Sequence, residues 1–272
     1  MLSALEWLRP WEPSASVFIA CALAVGVYAA GMMRGARPGF WPALSYFAGV
    51  GLIYAVTQTQ YDYYSQFLFA AHRLQHLILH HLGPFLIALS MPSAVLAAGL
   101  PMALRRLPEG ALRPVFRLLR VVYRILQQPF IAGFVFVGLI YFWLTPEIHF
   151  DAMLSIDLYW FMNWTMVVDG LLFWWLIFER GDHGITPRLS PGRRILVLAL
   201  IMPPQIALGA YITFSDQNLF EIYDVCGRAF PIEPMLDQQI GGLITWIPAA
   251  MMSVMAAIIV LAFRLERDDD KA

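Results

Sequence analysis

A chain of 272 residues that is 60% hydrophobic and 14% charged is not a soluble domain, which would carry charge nearer ~25%. Its formal net charge of -1 and its arginines, spread over several short loops, give no surface for nucleic acid. Two cysteines, Cys21 in an apolar stretch and Cys226 in a polar one, make no disulfide framework.

The opening MLSALEWLRPWEPS lacks a basic n-region and a small-residue cleavage site and is read as a mature N-terminus. Seven apolar stretches follow, each near the ~20 residues that cross a bilayer, at about 14–33, 41–60, 65–89, 129–144, 155–178, 195–214 and 240–263. After the third comes SMPSAVLAAGLP, too short to cross; it is expected at the interface, or as an extension of the third helix beyond a break at Pro92. RPVFRLLRVVYRILQQ, a basic amphipathic lead-in to the fourth, reads chiefly as a lipid-surface element. The sixth is expected to be interrupted at Pro203-Pro204, and the seventh opens on Gly241-Gly242. The fold class is therefore all-α: a polytopic helix bundle of about seven spans in a single integral-membrane domain over 1–272, with a short polar tail at 265–272.

Fifteen of the eighteen basic residues lie in alternate connections: Arg34 and Arg37; Arg105, Arg106, Arg113, Arg117, Arg120 and Arg124; Arg180, Arg188, Arg193 and Arg194; Arg264, Arg267 and Lys271. The positive-inside rule then predicts a cytoplasmic C-terminus and an N-terminus outside. The other connections hold Asp62, Glu147, Asp151, Asp216, Glu221, Asp224, Glu233 and Asp237. They read mainly as a solvated acidic face, which would also draw cations.

Within the third stretch stand His72, His76 and His80, with His81 beside the last. A ring nitrogen in hydrocarbon needs a partner, so such a cluster is a functional hypothesis by default. Steps of four keep the first three near one stripe, drifting ~40° per step, while His81 is expected to project away from His72. Counting ~1.5 Å per residue puts His80 and Asp169 of the fifth stretch at similar depth, and they are expected to pair. Asp237 at the mouth of the seventh stretch could approach His72 or His76 if the two helices are neighbours. Imidazole, carboxylate and thioether together suit copper, thioether favouring Cu(I); imidazole alone also suits zinc or haem iron. Met91, Met162, Met166 and Met202 read as packing. His149 in TPEIHFD is expected to be an ordinary exposed histidine rather than an entry ligand, and His183 to be structural. No nucleophile elbow, phosphate-binding glycine loop or CxxC pair is present, so no enzymatic turnover is expected.

Three passages carry a resemblance. AHRLQHLILHHLGPFLIALSMP holds an H-x-x-Q-H helix with proline-marked ends, NWTMVVDGLLFWW lies in the fifth stretch, and LDQQIGGLITWIP, with IYD upstream, opens the seventh. Together they resemble the polytopic CtaG family of cytochrome c oxidase assembly factors, over roughly 14–264. The resemblance implies a multi-pass bacterial inner-membrane protein that supports maturation of haem–copper oxidases by handling copper for their active centre, with an oxidase subunit, and a periplasmic copper donor, as partners. The positions matching the family are His72, Gln75, His76, Asp237 and Gln238. The fifth stretch departs from it, with Asn163 and Asp169 where relatives carry histidine. The expected metal set is His72, His76, His80 and Asp237, with Gln75, Asp169 and Gln238 as polar support and copper, as Cu(I), as the metal.

Three other readings stay open. A b-type haem needs a histidine from a second span, because histidines four apart on one helix project the same way. A copper permease would suit a broken sixth helix and a buried Asp169, although no inverted repeat is visible. A scaffold without metal would leave the histidines as packing residues.

Overall fold

The computed structural model describes residues 4–106, 110, 112–179 and 189–269. His183, Arg180, Arg188 and Lys271 lie outside the described residues.

Every described element is a helix. Five are long and apolar enough to cross a membrane: α1 (Ala15–Met33), α2 (Phe40–Thr57), α5 (Ile156–Phe178), α6 (Pro191–Phe214) and α7, which begins at Pro234. Counting each of two bent pairs as one span gives up to seven. α3 (Phe69–Leu89) turns by 80° into Ser93–Gly99, and Arg113–Leu126 turns by 81° into α4 (Pro129–Trp143). The chain is thus a multi-pass membrane protein.

The bends have local causes. Met91 takes a positive φ of 47° directly before Pro92, and the short helix after it lies against α1. Glycine is needed there on both sides, since a side-chain carbon at Gly99 would meet the Val27 carbonyl and one at Gly31 the Val95 carbonyl. Arg113–Leu126 buries none of its residues. It exposes Val115, Leu118, Leu119 and Val122 while carrying Arg113, Arg117, Arg120 and Arg124, the composition of a helix lying in a membrane interface.

One expectation is corrected. α6 is one helix from Pro191 to Phe214, with Pro203 and Pro204 inside it. The Pro204 carbonyl also accepts the Tyr141 hydroxyl of α4 at 2.7 Å, which ties α4 to this stretch. The polar stretch that begins at 265 continues α7 as helix through Asp269.

α6 and α7 form a close pair. Gly209 lies under the Trp246 ring and Gly242 against Thr213, so small residues bring the two backbones together. α3 lies between α2, α5 and α7 and is wound as a π-helix over Leu77–Leu82. The extra residue in that turn rotates everything after it relative to an unbroken α-helix. α5 approaches this turn at Gly170, where a side chain would run into the His80 carbonyl and the Pro84 ring.

Candidate metal centre

The polar residues of α3 are buried almost completely: His72, Gln75 and His80 are 0% exposed, His76 1%, His81 3% and Arg73 4%. They fall into an upper group beside the start of α3 and a lower group in the π turn.

The upper group begins with an unusual cap. Leu68 is extended, with φ -146° and ψ 126°, and its side chain offers no acceptor to the first turn of α3. Asp237 of α7 supplies one instead. Its two carboxylate oxygens accept the Phe69 and Ala70 backbone N–H groups at 3.0 and 2.9 Å, and Arg228 stands 3.8 Å away. A carboxylate at a helix N-terminus meets both the orphan donors and the dipole. Asp237 therefore reaches α3 through its backbone, and both of its oxygens are engaged there. Gln238 ties the preceding loop down, accepting from Leu219 N at 2.7 Å and donating to the Gln217 carbonyl at 3.0 Å.

Below this cap the His72 and His76 rings lie 4.3 Å apart between centroids, and His149 stands 5.0 Å from His72. His149 corrects the reading of an exposed loop histidine: it is 0% exposed, on the short helix Pro146–Leu154. Its Nδ1 is 3.0 Å from the Trp143 carbonyl, which can only accept, so Nδ1 carries the proton. Nε2 then holds the lone pair and accepts the Tyr223 hydroxyl at 3.0 Å. Neither nitrogen of His72 or of His76 makes a hydrogen bond. Asn163 of α5 neighbours His76 without closing one of normal geometry. A buried polar atom without a partner costs about 1–3 kcal/mol, and four such atoms sit side by side here.

Gln75 links this group to a second buried carboxylate. Its amide donates to the Val56 carbonyl at 2.8 Å and to Asp62 Oδ1 at 3.0 Å. The Tyr159 hydroxyl also donates to Asp62 Oδ1, at 2.6 Å, and Gln66 donates to Oδ2 at 3.1 Å. Gln75 thus sets the rotation of α3 rather than facing the rings.

Burial pushes the Asp62 carboxyl up to about 6, against the hydrogen bonds from Tyr159, Gln75 and Gln66 that pull it down. Between roughly pH 4 and 6 the folded chain then holds a proton that the unfolded chain has released, so stability falls as pH rises through that window and is level above it. His149 acts in the opposite sense. Burial first, and the Arg73 charge after it, hold its ring down to about 3, so its contribution is present above ~6.5 and declines as pH falls. Substitution separates the two. In Asp62→Asn, stability relative to wild type should climb by about 2–3 kcal/mol between pH 4 and pH 7, read from paired unfolding curves in detergent. A flat difference would mean that Asp62 stays ionised throughout.

The lower group holds the pair expected from depth: His80 Nε2 lies 2.9 Å from Asp169 Oδ2. His81, expected to project away from His72, is buried beside His80, with ring centroids 4.9 Å apart. Among the described residues no three His, Cys, Asp or Glu side chains gather as a ready cage for a metal ion. His72, His76, His80 and Asp237 are thus not brought to one point. What the two groups offer is neutral nitrogen donors in pairs, which fits an ion of low coordination number and not a four-ligand zinc site or an oxygen-lined Mg2+ or Ca2+ site.

The composition of the upper group was only partly visible beforehand. His149 could have been found from Pro146 at the start of a helix, which places 149 and 152, three apart, on one face. Nothing local marks Tyr223 as its neighbour.

With this geometry in place, comparison with known proteins is informative. The family described as cytochrome c oxidase caa3 assembly factor matches residues 26–267. An uncharacterized protein of Mycobacterium bovis is 29% identical over 262 residues, 91% of this chain and 38% of that protein. An uncharacterized protein of Mycobacterium leprae is 27% identical over 272 residues, 94% of this chain and 40% of that protein. The chain spans about two fifths of the length of these curated relatives. No solved structure matches it.

Proposed function

The chain belongs to the cytochrome c oxidase caa3 assembly factor family, and we propose from that premise that it handles copper for the oxidase, holding Cu(I) on His72 and His76 and passing it to an oxidase subunit without catalytic turnover. The observation that carries this reading is the pair of fully buried imidazoles, 4.3 Å apart, whose four ring nitrogens have no hydrogen-bond partner. Each neutral ring has one lone-pair nitrogen, and in an apolar bundle that nitrogen is stabilised by an ion that accepts the pair. The Tyr223 hydroxyl holds the third imidazole, His149, beside them, in reach as a further donor once that hydroxyl turns away.

Arg73 supports the choice of oxidation state. It is buried, donates to Thr245 Oγ1 at 3.0 Å, and among the described residues has no carboxylate within 4 Å. A fixed positive charge beside neutral ligands opposes a divalent ion about twice as strongly as a monovalent one. By the positive-inside rule the arginine-bearing connections face the cytoplasm and Asp62, Asp237 and the upper histidines face outward. The C-terminus of the chain then lies inside, the N-terminus outside, and copper arrives from a donor on the outer side of a bacterial inner membrane. Asp237, Gln238 and Gln75 position α3, and the ligands are the rings.

Elemental analysis of detergent-purified protein after anaerobic loading with Cu(I) tests this. Wild type should retain copper, and His76→Ala and His72→Ala should each lose affinity at the upper site by at least tenfold. Unchanged affinity in both variants would remove the ligand set. Absence of copper from wild type would leave a scaffold, and uptake of copper into the lumen of proteoliposomes would make the protein a permease.

A further inference from the structure

The lower group is separate from the site just proposed, and its two histidines are consecutive. In a regular α-helix His80 and His81 would diverge by ~100°. In the π turn both rings instead pack against one residue, Phe136 of α4, at 4.1 and 5.0 Å, and His81 also lies 6.3 Å from Trp174. π turns recur at functional sites because they re-aim side chains in this way.

The nitrogens can be accounted for one by one. With Asp169 ionised, and so only an acceptor, His80 Nε2 carries the proton of the 2.9 Å contact and Nδ1 keeps the lone pair. That Nδ1 has no partner, and neither does either nitrogen of His81. Two lone pairs on these neighbouring, buried rings are therefore unmet: Phe136 has no polar atom to offer, and the indole N–H of Trp174 is itself without a partner. A histidine that donates to a carboxylate through one nitrogen is oriented and made more basic at the other, the arrangement found behind metal-bound imidazoles.

We propose that His80 and His81 form a second, deeper station for a single cuprous ion, with Asp169 as the positioning residue behind His80. This rests on the reading of the upper site as a copper site. Two nitrogen donors and no oxygen suffice for Cu(I), whereas zinc takes four ligands and Mg2+ or Ca2+ needs oxygens. One carboxylate outside the coordination sphere balances one positive charge. Asp169 also lines a groove of about 410 Å³ between α4 and α5, so its carboxylate edge opens on that groove while the rings are sealed. The two stations lie along one helix, and copper held at the upper can be handed down to the lower.

The test is the number of cuprous ions bound by the full chain in detergent, counted by anaerobic titration against a chromophoric Cu(I) chelator. X-ray absorption at the copper edge reports the donors. Wild type should bind two ions, with nitrogen donors only. His81→Gln should bind one and keep the upper affinity, and His76→Ala should keep only the lower ion. Asp169→Asn should bind two, one of them weaker by about 10–100-fold, which provides a readout should His81→Gln fail to fold. A single ion, lost in His76→Ala and unaffected by His81→Gln and Asp169→Asn, overturns the deep station and leaves the upper site intact. No ion in wild type overturns the copper reading itself.

Discussion

Asp237→Ala should lower stability by about 3–5 kcal/mol, in the range for breaking a buried charged contact, and weaken copper at the upper station with it. The carboxylate is 0% exposed and meets two backbone donors at once. Removing it leaves two buried N–H groups without acceptors, about 1–3 kcal/mol each, and strips Arg228 of one of its two acidic neighbours. Water cannot readily replace the acceptor, since Phe69, directly beside the cap, stacks on Phe220 at 4.0 Å. Because His72 is one turn beyond the cap, fraying of α3 would reach the first ligand. Asp237→Asn should fall between: its single amide oxygen can accept one N–H, but its NH2 opposes the other. Denaturant titration in detergent, followed by tryptophan fluorescence, with Cu(I) affinity measured on the same samples, checks both effects. If Asp237→Asn matched wild type, acceptance of two donors would not be the reason the residue is there.

This cap shows why the candidate site was only half legible in the chain. Periodicity and hydropathy reveal spans, and all seven stretches are helical; what they do not reveal is a carboxylate 168 positions away ending on the backbone of Phe69. Depth counting found the His80–Asp169 pair because rise per residue is a property of any helix. Neither depth nor periodicity showed that His80 and His81 would both lie against Phe136, because the winding changes inside LILHHL and the sequence of that turn carries no signature of it. His72, His76 and His80 do not share one site despite their even spacing, because eight residues at ~1.5 Å each carry His80 about 12 Å along the axis from His72. Pro203-Pro204 misled in the other direction: a proline pair reads as a break, yet α6 runs through it. His149 was misread because hydropathy sees a short polar connection, whereas burial there is set by Tyr223 and the Trp143 carbonyl, which only the fold brings together.

Gly170→Val should separate α5 from the π turn and empty the deeper station without touching the upper one. A side-chain carbon at 170 would land on the His80 carbonyl and its own carbon, and on the Pro84 ring. The first two are backbone, so no rotamer change can relieve the clash, and α5 must move. Overpacking of this kind costs about 1–3 kcal/mol and sometimes more. Asp169 is the neighbouring residue on α5, so the displacement falls directly on the 2.9 Å contact with His80. With that contact lengthened, His80 loses the partner that fixes its tautomer, and the lone pair is no longer held at Nδ1. The expected outcome is one cuprous ion per chain instead of two, with the His72–His76 affinity preserved, since Asn163 lies about two turns away on α5. Gly170→Ala adds the same first carbon and should shift the affinity of the deep ion in the same direction by less. Two ions at wild-type affinity in Gly170→Val would show that the station does not depend on how closely α5 meets the turn, and would detach Asp169 from it. A loss of both ions would mean that the displacement passes along α3 through the π turn to the upper station, and that the two stations are not independent.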